Sequence, residues 1–274
     1  MVRSDFHMHS SFCDGADSPE DMVKEALKYG LVSMGFSGHM DPPVGVPMDI
    51  GKYKAEIRRL KEKYKGQIDI FLGGEVDCLF EGGDTDDLEY RIGSTHTLRM
   101  PDGKMFSVDD TEEVLKKFSE EYYGGDYYAL ARDYYETEAK IIDRVHPDLI
   151  GHFDLVLRFN DSLHFIDEDD PRYLKPALQT MEYLAKADVP FEINCGAVNR
   201  GRKKDFYPGK RLLNALHGFG GRIVLSSDAH DKEHILASFR EAAEAATDAG
   251  FKEAWVLKRD SGGQPVWESE ALSC

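Results

Sequence analysis

Seven short apolar runs alternate with amphipathic helical patterns, and this alternation most constrains what the chain can fold into. The predicted strands lie near residues 3–8, 32–38, 68–75, 91–96, 148–152, 188–194 and 222–228. The predicted helices lie near residues 19–29, 51–65, 109–122, 128–145, 172–187, 209–219 and 234–249. Strands that alternate with helices indicate βα units and a largely parallel sheet, so the predicted class is α/β.

Histidine and acidic residues recur where the predicted strands end. They are His7, His9, His39, Glu75, His96, His152, Asp228 and His230. In a parallel barrel the carboxyl ends of all strands open on one face, whereas an open doubly wound sheet brings together only the strands beside its switch point. Because these residues fall on six of the seven predicted strands, the sequence favours a closed barrel.

The spacing and chemistry of these residues indicate a metal site. His7 and His9 are two residues apart on one strand, so their side chains face the same side and can bind one ion; Asp228 and His230 have the same spacing. Imidazole and carboxylate ligands without thiolate suit zinc, manganese or iron in a catalytic site. With Asp14 there are nine candidates. A structural zinc typically needs only about four, so several ions are indicated.

Composition excludes some classes of function. The formal net charge of −17 argues against non-specific nucleic-acid binding, which requires Lys and Arg to neutralise phosphates. No signal peptide and no apolar run of membrane-spanning length is evident, so we expect a cytoplasmic protein with no membrane partner. We expect reduced thiols at Cys13, Cys78, Cys195 and Cys274, whose spacing matches no zinc knuckle. We expect ordinary core or surface roles for His146, His164, His217 and His234.

The sequence resembles the PHP (polymerase and histidinol phosphatase) superfamily over almost its whole length. The motifs that carry the resemblance are HMHSSFCDG, GFSGHMD, GGEVD, GSTH, GHFD and SSDAH. The resemblance implies a single domain over residues 1–274, folded as a distorted, TIM-like (β/α)7 barrel with three divalent ions, zinc, manganese or iron. It assigns one ion to His7, His9, Glu75 and Asp228, a second to Glu75, His96 and His152, and a third to Asp14, His39 and His230.

Length and context resemble the stand-alone histidinol-phosphate phosphatases of this superfamily. The resemblance implies a phosphomonoester hydrolase of histidine biosynthesis, with L-histidinol phosphate as its small substrate. The segment FEINCGAVNRGRK is similar to the family's Glu-x-Asn segment and the arginine that follows it. It implies that Arg200, together with Arg158 after the fifth strand, holds phosphate. Glu192 and Asn194 either touch substrate or order the end of their strand.

The implied mechanism is in-line attack on phosphorus by a hydroxide held between the ions. Its catalytic residues are Glu75, Asp228, His230, Arg200 and Arg158. Glu75 bridges two ions, the two arginines neutralise the phosphoryl oxygens, and His230 or a water is a candidate for protonating the leaving alkoxide. We also expect an inserted helical cover near residues 98–147, with carboxylates that could receive the cationic groups of the substrate. Candidates are Asp126, Asp133 and Glu136.

Two other functions stay open at this point. One is another PHP phosphoesterase, acting on nucleotides or oligonucleotide ends; the net charge of −17 and the lack of a basic patch count against a polymer substrate. The other is a non-catalytic metal-binding or regulatory barrel, against which the complete set of candidate ligands argues. The sequence does not predict the oligomeric state.

Overall fold

The strands of the computed structural model, which describes residues 2–40, 47–82 and 85–272, follow the predicted order. They are β1 (Ser4–Asp5), β2 (Ser33–Phe36), β3 (Asp69–Asp77), β4 (Tyr90–Ser94), β5 (Thr97–Arg99), β6 (Met105–Ser107), β7 (Leu149–Ile150), β8 (Phe191–Asn194), β9 (Ile223–Ser226), β10 (Glu253–Arg259) and β11 (Pro265–Ala271). Seven of them, in the order β1-β2-β3-β4-β7-β8-β9, form one sheet whose neighbours all pair in parallel.

The two edges of this sheet meet, so that it forms a nearly closed barrel. Met8, just beyond β1, forms a parallel bridge to Ala229, just beyond β9. The backbone N–H of His9 donates to the carbonyl of Ala229 at 2.8 Å. The prediction of a seven-stranded α/β barrel is therefore confirmed, and the carboxyl ends of its strands share one face.

The helices lie in the connections between the strands. They are α1 (Pro19–Lys28), α2 (Ile50–Lys63), α3 (Glu112–Tyr123), α4 (Tyr127–Glu138), α5 (Ile141–Val145), α6 (Asn160–Leu163), α7 (Pro171–Ala185), α8 (Gly196–Asn199), α9 (Lys210–Gly218) and α10 (Phe239–Ala249). Ser18 caps α1 by accepting from the N–H of Asp21, and Gly250 ends α10 with a φ of 107°. No helix in the described ranges combines the length and the apolar character needed to cross a membrane.

The single helix predicted over residues 128–145 is wrong, because the structure has two helices there. α4 ends at Glu138 and α5 begins at Ile141. The break lets α5 turn so that the side chain of Ile141 packs on β4 at Gly93, where a Cβ atom would lie 3.0 Å from that side chain. Residues 97–145 thus contain the hairpin of β5 and β6 and the helices α3, α4 and α5. That this segment as a whole covers the site stays a prediction.

Aromatic rings fill the barrel below its carboxyl-terminal face. Phe6 contacts Phe71 and Tyr90 edge to face, with ring centroids 6.0 and 6.2 Å apart. A side chain at Gly35 or Gly73 would collide with the ring of Tyr90. The ring fits because both residues are glycine. Close packing of these rings makes the inside of the barrel rigid. The polar residues at the strand ends lie above the rings. Beyond the barrel, β10 and β11 form an antiparallel hairpin, with its turn closed between Asp260 and Gly263.

Candidate active site

A cavity of about 320 Å³ opens at the carboxyl-terminal face of the barrel. Eight of the nine predicted metal ligands line it: His9, Asp14, His39, Glu75, His96, His152, Asp228 and His230. The ninth, His7, is fully buried directly behind them. The strand ends therefore bring together side chains that are up to 223 residues apart in the sequence, from His7 to His230.

Four of these side chains form a compact group at the first strand. The Nε2 atoms of His7 and His9 are 3.1 Å apart, and each is 3.4 Å from Oε2 of Glu75. Oδ1 of Asp228 lies 3.6 Å from His7 Nε2 and 3.4 Å from His9 Nε2. Ligands about 2.0 Å from one tetrahedral ion are separated by about 3.3 Å, so the spacing fits a single metal ion.

The other oxygen of Glu75 faces a second pair of histidines. Its Oε1 lies 3.0 Å from Nε2 of His152 and 3.3 Å from Nε2 of His96, and it accepts a hydrogen bond from the hydroxyl of Ser94 at 2.6 Å. One carboxylate thus has histidine nitrogens at both of its oxygens. This is the geometry that a bridging carboxylate between two ions requires.

A third group surrounds Asp14 and overlaps the first. Asp14 Oδ2 lies 3.1 Å from Nε2 of His230 and 3.5 Å from Nε2 of His39, while Asp14 Oδ1 lies 3.4 Å from Nδ1 of His9. His39 also places its Nδ1 atom 3.1 Å from Oε2 of Glu75. His9 and His39 therefore each face two groups, which the simple partition of ligands among three ions did not predict.

The state of Glu75 tests whether these residues fit a metal. Its Oε2 atom is buried and accepts no hydrogen bond from the described residues, which is costly for a carboxylate oxygen. Burial alone would raise the pKa of Glu75, but the charges of His7, His96 and His39 hold it well below its usual range. An ionised, unpartnered oxygen surrounded by imidazole nitrogens is satisfied by a bound cation. The donor set therefore fits divalent metal ions.

Glu192 and Asn194 lie behind the ligands, and neither lines the cavity, so their position favours the second of the two roles expected for them, ordering the end of their strand. Glu192 is fully buried, and its Oε2 atom accepts from Nδ1 of His7 at 2.8 Å and from the hydroxyl of Ser226 at 2.6 Å. Its Oε1 atom accepts from the N–H of His152 at 2.6 Å and from the amide of Asn194 at 2.8 Å. Glu192 thus orients His7 and leaves Nε2 of that ring free for a metal.

Asp77 has a comparable supporting position that the sequence analysis missed. Its Oδ2 atom accepts from the N–H of His96 at 2.9 Å and from that of Thr97 at 3.1 Å, and it lies 3.6 Å from Nδ1 of His96. The signal was available, because Asp77 follows Glu75 by two residues on the same strand and therefore faces the same side.

Arg200 contacts the metal-ligand side of the cavity directly. Its Nη1 atom donates to the carbonyl of Asp228 at 2.9 Å, and its Nη2 atom donates to Oδ2 of Asp228 at 3.2 Å. Nδ1 of His230 lies within reach of both Arg200 Nη1, at 2.8 Å, and the carbonyl of Asp228, at 2.9 Å. Asp228 has a φ of 48°, a conformation that is strained for a non-glycine residue and common at functional sites. Arg200 therefore holds this strained turn in place.

Three arginines also line the cavity: Arg158, Arg200 and Arg202. The Nε atom of Arg158 is buried without a partner among the described residues, and its Nη1 atom lies 3.6 Å from Oδ2 of Asp109. Burial and the nearby charges of Arg158 and Arg200 lower the pKa of Arg202. Guanidinium groups gathered in this way attract an anion. The sequence analysis missed Arg202, although it follows Arg200 by two residues.

The PHP domain model matches residues 5–196 of the chain, which is more than half of its length. The chain belongs to the PHP family. Together with the His and Glu clusters, this membership makes it, at the level of the family, a metal-dependent phosphoesterase with histidinol-phosphatase homologues.

Relatives of this PHP protein match it over most of its length. A histidinol-phosphatase of Bacillus subtilis is 29% identical over 258 residues, which are 84% of this chain and 94% of the relative. A histidinol-phosphatase of Lactococcus lactis is 26% identical over 270 residues, which are 92% of this chain and 93% of the relative. The crystal structure of histidinol phosphate phosphatase from Lactococcus lactis in complex with zinc, L-histidinol and phosphate superposes with a TM-score of 0.70 at 23% identity, covering 93% of this chain and 96% of that one. This superposition shows a shared fold.

The carboxylates expected to face the substrate lie elsewhere on the PHP barrel. Asp126 caps α4, Asp133 accepts from the hydroxyl of Tyr123 at 3.1 Å, and Glu136 lies 3.9 Å from Arg132. None of the three lines the cavity. Asp109, just before α3, does line it. The composition of this segment does not indicate which of its carboxylates faces the site. The structure shows that Asp109 does.

The remaining histidines and the cysteines lie outside the candidate ligand groups. His146 and His164 end short helices in the left-handed conformation, His217 packs on Phe251, and His234 pairs with Asp231. Cys13, Cys78 and Cys195 are free thiols, whereas Cys274 lies outside the described residues. The Sγ atom of Cys13 lies 3.6 Å from Nδ1 of His9, but burial and the charge of Asp14 raise its pKa to about 11. Cys13 belongs to none of the candidate ligand groups found among the described residues.

Proposed function

We propose that this protein hydrolyses L-histidinol phosphate to L-histidinol and phosphate, a step of histidine biosynthesis. The observation that carries the proposal is one cavity lined both by candidate metal ligands and by arginines. Glu75, with His9 and His152 at its two oxygens, lines this cavity together with Arg158 and Arg202. A phosphomonoester needs both sets of groups, one for the attacking water and one for the charge on its oxygens. The names of the relatives support the choice of L-histidinol phosphate among phosphomonoesters.

Three divalent ions, zinc, manganese or iron, would be held by the three groups of ligands. The first group is His7, His9, Glu75 and Asp228, the second is Glu75, His96 and His152, and the third is Asp14, His39 and His230. When bound, ions so placed lower the pKa of a shared water and neutralise charge on phosphoryl oxygens. Glu75, fixed by the hydroxyl of Ser94 and by the strand β3, would set the spacing of the first two sites.

The arginines would hold the phosphoryl group in line with the attacking water. A guanidinium group donates two parallel hydrogen bonds to phosphate oxygens, and the buried, unpartnered Nε of Arg158 is available for this role. Arg200 is already bound to Asp228, so its main contribution would be to fix that ligand.

Asp109 would receive the positive charge of the substrate. It is the one cavity carboxylate, among the described residues, that stands outside the nine candidate ligands. Burial raises its pKa, but His96 and Arg158 lower it below its ordinary value overall, so the side chain is ionised at neutral pH. An ionised carboxylate at the wall of the cavity favours a substrate that carries an ammonium or an imidazolium group.

The test combines a metal analysis with a substrate panel. The protein is stripped with a chelator, reloaded with zinc, manganese or iron, and assayed for phosphate release from L-histidinol phosphate, nucleoside monophosphates, glycerol phosphate and oligonucleotides with terminal phosphates. We expect no turnover by the stripped protein, recovery on reloading, and the highest kcat/KM for L-histidinol phosphate.

A different outcome of this experiment would contradict each part of the proposal: the substrate, the metal mechanism and catalysis itself. Equal kcat/KM across the panel would reject L-histidinol phosphate as the substrate, and a preference for oligonucleotide ends would support the nucleic-acid phosphoesterase instead. Full activity of the stripped protein would reject the metal mechanism. No hydrolysis of any ester with all three metals supplied would support a non-catalytic barrel.

A further inference from the structure

Tyr207 lies at the wall of the cavity on a segment tied to the barrel. Its backbone forms an antiparallel bridge with Asn194, the last residue of β8: the N–H of Asn194 donates to the carbonyl of Tyr207 at 2.7 Å, and the reverse bond is 3.2 Å. Tyr207 lines the cavity, and its ring lies 6.2 Å from that of His152. The side chain is therefore held in place beside the candidate ligands without being one of them.

The hydroxyl of Tyr207 is unusual among the buried tyrosines. Six tyrosines of the described residues are no more than 2% exposed: Tyr53, Tyr90, Tyr134, Tyr135, Tyr173 and Tyr207. The hydroxyls of the first three donate to backbone carbonyls, and those of Tyr135 and Tyr173 bond to each other at 2.9 Å. Only the hydroxyl of Tyr207 has no partner within the described ranges. It is also the only one of the six that lines this cavity.

A buried hydroxyl without a partner is unfavourable, and its position shows what kind of partner it lacks. Burial raises the pKa of Tyr207 well above its ordinary value, so the side chain carries its proton at neutral pH and can donate it in a hydrogen bond. The charges of Arg158 and Arg200 lower this pKa, whereas those of Asp154 and Asp109 raise it, so arginines and carboxylates both lie near the hydroxyl. Outside the candidate metal ligands, the charged residues that line the cavity in the described ranges are three arginines and one carboxylate, Asp109, so an acceptor that enters it is expected to be an anion.

We propose that the hydroxyl of Tyr207 is a catalytic group that donates a hydrogen bond to an oxygen of the phosphoryl group. This inference rests on the proposed function only in that a phosphomonoester occupies the cavity. The donor would act together with the guanidinium of Arg158. Because charge on the phosphoryl oxygens is redistributed during transfer, a fixed donor at this position contributes to binding and to turnover.

The test is Tyr207→Phe, which removes the hydroxyl and keeps the ring. The metal-loaded protein is titrated with inorganic phosphate by calorimetry, assayed with L-histidinol phosphate, and unfolded by heat. A hydrogen bond to a charged group is worth about tenfold or more in affinity, so we expect phosphate binding and kcat/KM to fall by about that factor. We expect the unfolding temperature to stay the same or to rise, since no bond within the protein is lost.

Tyr173→Phe is the matched control, because it removes a buried hydroxyl that does have a partner, Tyr135. It should lower the unfolding temperature and leave phosphate affinity and kcat/KM unchanged. If Tyr207→Phe binds phosphate and turns over substrate like the wild type, the inference is wrong. It is equally wrong if Tyr207→Phe loses as much thermal stability as Tyr173→Phe, because the hydroxyl would then have a partner within the protein.

The phosphate titration keeps this inference separate from the proposed substrate. If the wild-type protein does not hydrolyse L-histidinol phosphate, the proposed function fails, and the comparison of phosphate affinities between wild type and Tyr207→Phe still decides the role of Tyr207.

Discussion

The candidate metal ligands and the arginines of the cavity are placed by different parts of the fold. Glu75 lies within β3, and Asp228 follows β9 by two residues, so the register of hydrogen-bonded parallel strands places these strand-borne ligands. The loop-borne residues lie in connecting segments: Arg158 follows a short helical turn after β7, and Arg202 and Tyr207 lie between α8 and α9. Strand register constrains the ligands in a way that applies to any parallel barrel, whereas the connecting segments depend on particular contacts such as the bridge between Tyr207 and Asn194.

The largest expected effect on kcat/KM comes from changing Glu75, one of the strand-borne ligands. Glu75→Gln keeps the shape of the side chain but removes its charge and one acceptor oxygen, which faces three histidines. Residues that only support a ligand already change activity by about 10- to 100-fold. We therefore expect kcat/KM to fall on the order of 1,000-fold or more, together with a loss of bound metal measured by elemental analysis.

The control for this variant is Glu113→Gln, at an exposed position of α3. It should keep both metal content and kcat/KM at the wild-type level. A Glu75→Gln protein that retains full metal content and activity within tenfold of the wild type would mean that the strand ends do not form the catalytic centre.

A smaller effect on kcat/KM separates Arg202, which would contact only the substrate, from Arg200, which also holds a metal ligand. Arg202→Ala should lower kcat/KM by about 10- to 100-fold, the range expected for a lost hydrogen bond to a charged group, without changing the metal content. Arg200→Ala should lower both, because Arg200 holds the ligand Asp228. The control is Arg240→Ala, on the exposed face of α10. Identical kinetics for Arg202→Ala and Arg240→Ala would remove Arg202 from the site, and unchanged metal content in Arg200→Ala would remove its structural role.

The contrast between strand-borne ligands and residues of the connecting segments explains how much the sequence could predict. The strands and the nine candidate ligands are readable because a strand places every second residue on one face and a parallel barrel gathers the strand ends. That rule fails for Glu192, which is polar and lies on a strand but is buried behind His7. Sequence alone does not distinguish a polar residue that supports a ligand from one that faces substrate.

Connecting segments have no periodicity from which a position could be predicted. Asp109, Arg202 and Tyr207, which line the cavity, were therefore missed. The break between α4 and α5 was missed for a related reason. At the start of α5 the side chain of Ile141 packs on Gly93, a residue 48 positions earlier that it meets only in the folded protein.

The smallest expected effect concerns the role of Asp109, which lies 3.6 Å from Arg158 and could act on the substrate or on that arginine. Asp109→Asn removes the charge, and kcat/KM is measured for L-histidinol phosphate and for phenyl phosphate, which carries no positive group. If Asp109 receives the cationic part of the substrate, kcat/KM should fall about fivefold for L-histidinol phosphate and little for phenyl phosphate, since a partly solvated charge pair is worth about 1 kcal/mol. An equal loss for both esters would show that Asp109 only positions Arg158. The control, Asp133→Asn, removes a carboxylate outside the cavity and should change neither value. A selective effect of Asp109→Asn would therefore show that a loop-borne residue determines substrate selectivity.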